Sequence, residues 1–511
     1  MNNNEGRQPY FYDITLRDGN QALKKPWNTA QKEIIFNELV KLGVQAIEVG
    51  FSGSSDMDFE ACQRLAEISP DNVVISGLAR AVEGDIIKVA DAIKQAERPR
   101  IHTFIAMSPF NMKYVLKKAP EDIRRIAVEA VSFAKSLMGE RGEVQFSVEH
   151  FGDCRENLGF VIDSLQEIAA AGANVLNLPN TVERTRPMEF VQMVSEVRKA
   201  IPENVIIAVH CHNDLGMASA STVESFFAGA TQLECSLNGL GERAGNTNMY
   251  EVAVSLHNCG VDVPLNLERI YETALTVSEM SNVPIHEKTP LIGEDALAHR
   301  SGIHQDGALK TQGMKKGAYR PIHPSLIGRD DDEKYGFTSQ SGKTALYEII
   351  KKAGYPITID EAVRLTAIAK EEAEKIGELP TDFIVDIYLK EIFEVEGPFK
   401  LVSFKRLDNG ELDKYNLKFT YNEEHHDISE HADGPLECCL KALNDIGISL
   451  TLTHYDQAAF AEDEKGVQAD AVTTIQLETQ DGRKVLCRGK DPSTAKANVK
   501  AIFNGLNLLF G

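Results

Sequence analysis

The sequence predicts an α/β chain that begins as a closed parallel barrel and ends in a separate α+β domain. Three observations predict it. From Tyr10 to about Gly260, short β-rich runs alternate with longer segments of helical period. Several of those helical segments close on a glycine just before the next strand, as in KLGVQAIEV, AAGANVLNL and FAGATQLEC, where a residue free to take the left-handed conformation can reverse the chain. After about Pro398 the texture changes to alternating strand patterns. Eight βα units in roughly 250 residues fit a TIM (β/α)8 barrel better than an open doubly wound sheet.

The eight runs read as strands are FYDITLRD, AIEVGF, VVISGLA, IHTFIAM, VQFSVEH, NVLNLPN, VIIAVHCHND and LECSLNGLG. Amphipathic segments such as QKEIIFNELVKLG and DSLQEIAAAG follow most of them. Residues 291–332 carry many Gly, Pro and His with little periodicity, and a long irregular stretch inside an ordered protein is usually functional. GKTALYEIIKKAG and IDEAVRLTAIAKEEAEKIG then read as two helices, with Pro356 and Thr358 marking the turn between them. The last part reads as a doubled β-rich unit: FKLVSFKRL and YNLKFTYN before the helix PLECCLKALNDIG, then SLTLTHY, AVTTIQLET and KVLCRG before PSTAKANVKAIFNGL. Asp433 and Asp491 precede these two helices and are expected to cap them. The expected division is 1–290 for the barrel, 291–396 for linker subdomains that complete the active site, and 397–511 for the terminal domain.

A chain of 511 residues exceeds one ordinary core, in keeping with that division. Its 54 Lys and Arg against 76 Asp and Glu, a formal charge of −22, repel nucleic acid and anionic membrane surfaces. An anionic substrate must therefore meet local positive charge. The eight cysteines form no C-x-x-C pair and no regular framework, which fits reduced thiols in a reducing compartment. MNNNEGRQPY has neither an apolar core nor a basic lead, and no run approaches the roughly 18 apolar residues of a membrane span. The expected location is the cytoplasm.

In a parallel barrel, chemistry gathers at the C-terminal ends of the strands. Strand one ends in Thr15-Leu16-Arg17-Asp18, strand five reaches Glu149 and His150, strand six reaches Asn177 and Thr181, and strand seven ends in His210-Cys211-His212-Asn213-Asp214. His210 and His212 are two residues apart, so on a strand they share one face and can grip one metal ion. Asp18 can add a carboxylate and Asn246, in the glycine-rich loop after strand eight, a neutral oxygen. Such a set leaves positions open for substrate, as a catalytic site requires. The same loop lacks the Gly-Lys-Ser/Thr ending of a phosphate loop.

Leu16-Arg17-Asp18-Gly19, His210-Cys211-His212-Asn213-Asp214 and Gly241-Glu242-Arg243-Ala244-Gly245-Asn246 resemble the signature of the DRE-TIM metallolyase family. Within it, Ser301-Gly302-Ile303-His304-Gln305-Asp306-Gly307, the run Ser339-Gln340-Ser341-Gly342-Lys343 and the two-part terminal domain resemble the 2-isopropylmalate synthases, over nearly the whole chain. The resemblance implies Asp18, His210 and His212 as ligands of a divalent zinc, manganese or magnesium ion, with Asn246 a weaker fourth. It implies that Arg17 orients a 2-oxo acid and stabilises the alkoxide formed from it, and that His102, Ser147, Asn177 and Thr181 line the oxo-acid pocket. His304 is implied as the base for the acetyl methyl with help from Glu149, and Tyr319 completes the site from the linker. Asn20 and Asn180 stand where many relatives have Glu and Asp, which marks a distinct branch without touching an implied ligand.

The implied reaction is a Claisen-type condensation of acetyl-CoA with 2-oxoisovalerate to 2-isopropylmalate and CoA, the first committed step towards leucine. The implied assembly is a homodimer, with leucine as an allosteric inhibitor acting on a C-terminal regulatory domain. Homocitrate and citramalate synthases use the same centre with other oxo acids. A 2-oxoglutarate enzyme needs a cation for the distal carboxylate, which Ser147 and Asn177 do not supply, although Arg155 could reach in. A reading of another class is a leucine-sensing regulator with an inert barrel.

Overall fold

A computed structural model of the chain describes residues 6–329, 334–407, 413–461 and 469–511. They fall into two compact units, Met1–Leu297 with Gly313–Glu333 and Ala298–Gln312 with Lys334–Gly511.

In the first unit, strands β1 (Tyr10–Asp13), β2 (Ala46–Gly50), β3 (Val74–Arg80), β4 (Arg98–Ala106), β5 (Glu143–Glu149), β6 (Val175–Asn180), β7 (Ile206–Cys211) and β8 (Gln232–Cys235) close a barrel in chain order. Every neighbouring pair is parallel, and closure is made by β1 on β8, where Phe11 pairs with Leu233. Helices α1 (Thr29–Leu42), α2 (Asp56–Glu67), α3 (Glu83–Ile93), α4 (Pro120–Met138), α5 (Leu158–Ala170), α6 (Pro187–Ala200), α7 (Ala218–Phe227) and α8 (Met249–Asn258) follow the strands in turn, and α9 (Ile270–Ser281) packs on α1. This is the barrel the sequence predicts.

The local causes are visible in α1. Asn28 and Gln31 exchange side-chain and backbone hydrogen bonds as a capping box at its start. Ile35, Leu39 and Leu42 bury one face at helical spacing. Gly43, at φ 88, ends it in the left-handed region and turns the chain into β2.

Strand one is shorter than FYDITLRD. Asp13 accepts from Thr15 N at 2.9 Å and from Thr15 Oγ1 at 2.7 Å, and the chain curls into a wide helical turn over Thr15–Gly19. That turn carries Arg17 and Asp18. Strand eight likewise stops at Cys235, and Leu237–Gly239 form a tight turn.

The barrel floor is polar. The buried Arg100 guanidinium bonds Gln145 Oε1 at 3.1 Å and Gln232 Oε1 at 2.7 Å, and pairs with Glu143 at 2.5 Å. Gln145 donates to Glu234 Oε1 at 2.6 Å, which carries the network upward to the site.

In the second unit, β9 (Ala298–His299) pairs in parallel with β10 (Lys334–Tyr335), and α10 (Gly302–Lys310) begins just after β9. Helices α11 (Lys343–Lys352), α12 (Ile359–Ile376) and α13 (Thr381–Phe393) share a core of Phe337, Leu346, Ile350, Leu365 and Tyr388. The capping box Thr358/Glu361 opens α12, as the Thr358 turn predicts. Neither α10 nor α13 was foreseen. TDFIVDIYLKEIF is rich in β-branched and aromatic residues, yet Ile384, Tyr388 and Ile392 bury one helical face.

The chain closes with two three-stranded antiparallel sheets, each with a helix. The first comprises β11 (Phe399–Leu407), β12 (Lys414–Tyr421) and β13 (Glu424–His431) with α14 (Pro435–Asp445). The second comprises β14 (Leu450–Ala461), β15 (Ala469–Thr479) and β16 (Lys484–Asp491) with α15 (Thr494–Phe510). The doubling was predicted, but β13 was not, because EHHDISEH lacks an apolar face. The acidic caps are also corrected. The N-cap of α14 is Gly434 and that of α15 is Ser493, and Asp491 instead accepts from Ser493 N at 2.9 Å.

The helices and sheets of this unit are tied together. Asn504 and Asn507 of α15 bond the backbone of Phe393, Val395 and Phe399, and Arg488 of β16 pairs with Glu361 of α12 at 2.5 Å. The division at 290/291 and 396/397 stands as our proposal. All eight cysteines are free, and among the described residues no helix is long and apolar enough to cross a membrane.

Candidate active site

A cleft of about 230 Å³ opens at the C-terminal ends of the barrel strands. Arg17, Asp18, His102, Ser147, Glu149, Asn177, Thr181, His210 and His212 all line it, so residues spread over nearly two hundred positions meet at one barrel mouth.

On one side lies a charged cluster whose hub the sequence reading missed. Glu48, fully buried in the middle of β2, accepts from Arg17 Nε at 2.5 Å and from Tyr12 OH at 3.0 Å, and pairs with His102 Nδ1 at 2.5 Å. Arg17 Nη1 reaches Asp18 Oδ1 at 2.7 Å. Among the described residues Arg17 Nη2 makes no hydrogen bond, so it is left to face the cleft. Burial alone pushes the Glu48 carboxyl up, but Arg17 and His102 overcome it and hold it at about 2. Its contribution to stability is therefore present above the ordinary glutamate value of 4.5 and is lost as pH falls through about 2. Glu48→Ala removes the carboxylate that holds Arg17 Nε and His102 Nδ1, leaves Asp18 as the remaining carboxylate on the buried guanidinium, and is expected to cost about 3–5 kcal/mol. A urea-unfolding midpoint unchanged by this substitution would refute the coupling.

His102 Nε2 meets Ser147 Oγ at 2.6 Å, and Asn177 Nδ2 donates to the same hydroxyl at 2.8 Å. Thr181 Oγ1 accepts from His150 N at 2.9 Å, holding the loop after β5 while its own proton stays available. Leu78, Phe104 and Pro179 give the cleft a non-polar wall. Burial raises the Glu149 carboxyl above its ordinary value, against the lowering effect of His150.

On the other side, His210 Nε2 and His212 Nε2 stand 3.1 Å apart. Two nitrogens bound to one ion at 2.0–2.1 Å lie about 3.0–3.4 Å apart, so the imidazoles already have the spacing of a ligand pair. Burial first, then His210, pulls the His212 imidazole down to about 3, which keeps it in the neutral form that ligates. His210 Nδ1 lies 3.2 Å from Glu234 Oε2, the carboxylate partner that fixes a ligating imidazole. Burial pushes the Asp18 carboxyl up, but Arg17, His210 and His212 hold it well below the usual range.

Asn246 Nδ2 donates to Asp18 Oδ2 at 2.5 Å, while its buried Oδ1 has no partner among the described residues and can serve a cation. Gly241 is required here, since a Cβ would stand 2.1 Å from Asn246 Nδ2. Among the described residues no three His, Cys, Asp or Glu side chains form a finished cage. Both Asp18 oxygens already accept hydrogen bonds but retain lone pairs. The ready imidazole pair, the adjacent anionic carboxylate and the orphaned amide oxygen fit a divalent ion.

His304 and Tyr319 are placed differently. His304 is exposed on α10, which belongs to the second unit, and Gln305 anchors that helix by donating to His299 O and Gly336 O at 2.8 and 2.7 Å. Tyr319 is 43% exposed in Gly313–Glu333, with the barrel unit, but does not line the cleft. Arg155 does not line it either, and bonds Glu189 at 3.2 Å instead. The signal for Glu48 was a lone acid in the otherwise apolar AIEVG, and for Glu234 an acid in the fully buried QLEC, where an unpaired charge is not tolerated.

Family models match almost the whole chain. One described as HMGL-like covers residues 8–277. One described as alpha-isopropylmalate synthase, post-catalytic domain-like, covers 294–351. One described as LeuA allosteric (dimerisation) domain covers 378–510. The chain is 58% identical over 369 residues to 2-isopropylmalate synthase 2 of Leptospira interrogans, spanning 72% of this chain and 86% of that protein. It is 33% identical over 509 residues to 2-isopropylmalate synthase of Syntrophus aciditrophicus, spanning 98% and 96%. Among solved structures, the HMG-CoA lyase from Brucella melitensis aligns with a TM-score of 0.47 and 20% identity over 54% of this chain and 100% of that one.

Proposed function

The chain belongs to the 2-isopropylmalate synthase family, and we propose that it condenses acetyl-CoA with 2-oxoisovalerate to give 2-isopropylmalate and CoA, in leucine biosynthesis. One observation carries the choice of oxo acid. The cleft pairs a non-polar wall of Leu78, Phe104 and Pro179 with cations that are already committed. Arg17 is engaged by Glu48 and Asp18 through Nε and Nη1 and keeps only Nη2, which the oxo acid's reacting end takes up, while Arg243 is engaged by Asp214 and Arg155 by Glu189 outside the cleft. The distal carboxylate of 2-oxoglutarate would have no partner there, whereas an isopropyl group meets the wall. Pyruvate would leave part of that wall uncovered.

Asp18, His210 and His212, with Asn246 Oδ1 as a neutral oxygen, would hold a zinc, manganese or magnesium ion. When bound, the ion supplies Lewis-acid polarisation of the oxo acid's ketone. Arg17 orients the oxo-acid carboxylate and presents Nη2 to the oxygen that becomes the alkoxide. His102, Ser147, Asn177 and Thr181 fix the acid's orientation. His304 removes a proton from the acetyl methyl, Glu149 assists from inside the cleft, and Tyr319 completes the site. The methyl carbon attacks the ketone carbon, the alkoxide takes up a proton, and water cleaves the thioester to release CoA.

The terminal domain fits a homodimer inhibited by leucine, supported by the match to the allosteric (dimerisation) model. The location we propose is the cytoplasm. The test is thiol release from acetyl-CoA with a panel of 2-oxo acids. We expect kcat/KM for 2-oxoisovalerate to exceed that for pyruvate or 2-oxoglutarate by about tenfold or more. Preference for either of the others would move the assignment to citramalate or homocitrate synthesis. No thiol release with any acid, in the presence of divalent metal, would favour the regulator.

A further inference from the structure

We propose that the segment Phe110–Lys118, beside the mouth of the cleft, is the docking site for the adenine and phosphate groups of the thioester's CoA tail. The inference rests on the acetyl-CoA reading above. The segment leaves the C-terminal end of β4, the strand that brings Phe104 to the cleft. Its beginning is tied to the site, since Met107 N bonds Glu149 O at 3.3 Å and Asn157 Nδ2 bonds Met107 O at 2.9 Å. Three residues separate Ala106 from Phe110, a span of at most about 15 Å. A pantetheine arm is of comparable length, so a thioester seated in the cleft can place its nucleotide end here.

The segment is built to be held from below and bare above. Met112 is buried, its N–H bonds Ser108 O at 3.0 Å, and its carbonyl accepts from Lys118 N at 3.1 Å. These bonds fix Asn111–Leu116 as a wide helical turn that ends at Lys117 in the left-handed region, φ 54. Above it, Phe110, Tyr114 and Val115 are 61%, 56% and 62% exposed. Outward-facing aromatic rings held in place this way are unusual on a surface with no partner. The two rings lie 5.1 Å apart, and Lys113 Nζ stands 5.0 Å from the centre of the Tyr114 ring.

Charge selects the occupant. Lys113, Lys117 and Lys118 are all exposed, and no Asp or Glu lies between Ser108 and Ala119. In a chain of formal charge −22 this is a local positive field beside the one cleft that must admit a polyanionic thioester. Aromatic faces offer a stacking surface to a purine, and lysines reach phosphate oxygens as mobile point charges. A free apolar partner would use the rings and leave the three cations without a role.

The test uses the full-length enzyme and compares acetyl-CoA with acetyl-pantetheine, which has the same reacting end but no nucleotide. In Lys113→Ala/Lys117→Ala/Lys118→Ala, and separately in Tyr114→Ala, the ratio of kcat/KM for acetyl-CoA over acetyl-pantetheine is expected to fall about tenfold or more. The lysine effect should shrink as salt rises, and the triple arginine variant should restore it. Titration of CoA itself, without turnover, should show a matching rise in Kd for the variants. An unchanged ratio with an unchanged CoA Kd overturns the assignment. A triple variant that loses self-association while keeping the ratio also overturns it, and gives the patch to a second copy of the chain. If wild type turns over neither thioester, the condensing reading fails, while the CoA titration still decides whether this segment binds the tail.

Discussion

Arg17→Lys is expected to lower kcat by about 100 to 1,000-fold at saturating substrate, the loss found when one donor to a developing oxyanion is removed. The guanidinium performs three tasks in fixed directions. Nε bonds Glu48 at 2.5 Å, Nη1 bonds Asp18 at 2.7 Å, and Nη2 is the group proposed to meet substrate. A lysine brings one nitrogen to the same place. It can satisfy Glu48, where the buried carboxylate draws it most strongly, and then it cannot also face the ketone oxygen. Because a positive charge remains beside Glu48, the fold should suffer far less than in Glu48→Ala. The pair of measurements therefore separates catalysis from stability. Steady-state kinetics with a urea-unfolding curve on the same sample checks it. An Arg17→Lys enzyme with near-normal kcat would remove Arg17 from alkoxide stabilisation.

What could be read in advance follows the range of the interactions involved. The barrel was legible because its signals are local: a helix stop such as Gly43, a strand such as AIEVG, and the same pair repeated along the chain. The imidazole pair was legible for the same reason, since His210 lies in β7 and His212 follows one residue past its end at Cys211, close enough in the chain for the alternation to bring both to one side. Glu48 was not. It reads as one acid in an apolar strand, and its meaning comes from Arg17, 31 positions away, and His102, 54 positions away. Glu234 is equally opaque until β7 and β8 lie side by side and put it against His210. The end of β1 was misjudged because an aspartate two residues before a threonine can capture that threonine's N–H and hydroxyl, a local bond that outweighs strand pattern. Helix α13 was missed because tertiary burial of Ile384, Tyr388 and Ile392 overrides the β-preference of its residues.

The proposed base is His304 with help from Glu149, and His304→Ala tests that assignment. Glu149 sits inside the cleft with a carboxyl raised by burial, whereas His304 is exposed on a helix anchored by Gln305. If His304 takes the acetyl proton, His304→Ala should lose about 100-fold or more in kcat and leave the Kd of 2-oxoisovalerate nearly unchanged. Exchange of the acetyl methyl protons with deuterated solvent, where wild type shows it, should fall in parallel. The pH profile then distinguishes the two groups. A base acts only when deprotonated, so a raised Glu149 pKa shifts its working range upward from the ordinary 4.5. An acidic limb of kcat set by Glu149 would vanish in Glu149→Gln and persist in His304→Ala. A limb that persists in Glu149→Gln and disappears in His304→Ala, together with the 100-fold loss, assigns proton removal to His304. Near-normal turnover in His304→Ala would transfer that role to Glu149, the carboxylate that already lines the cleft.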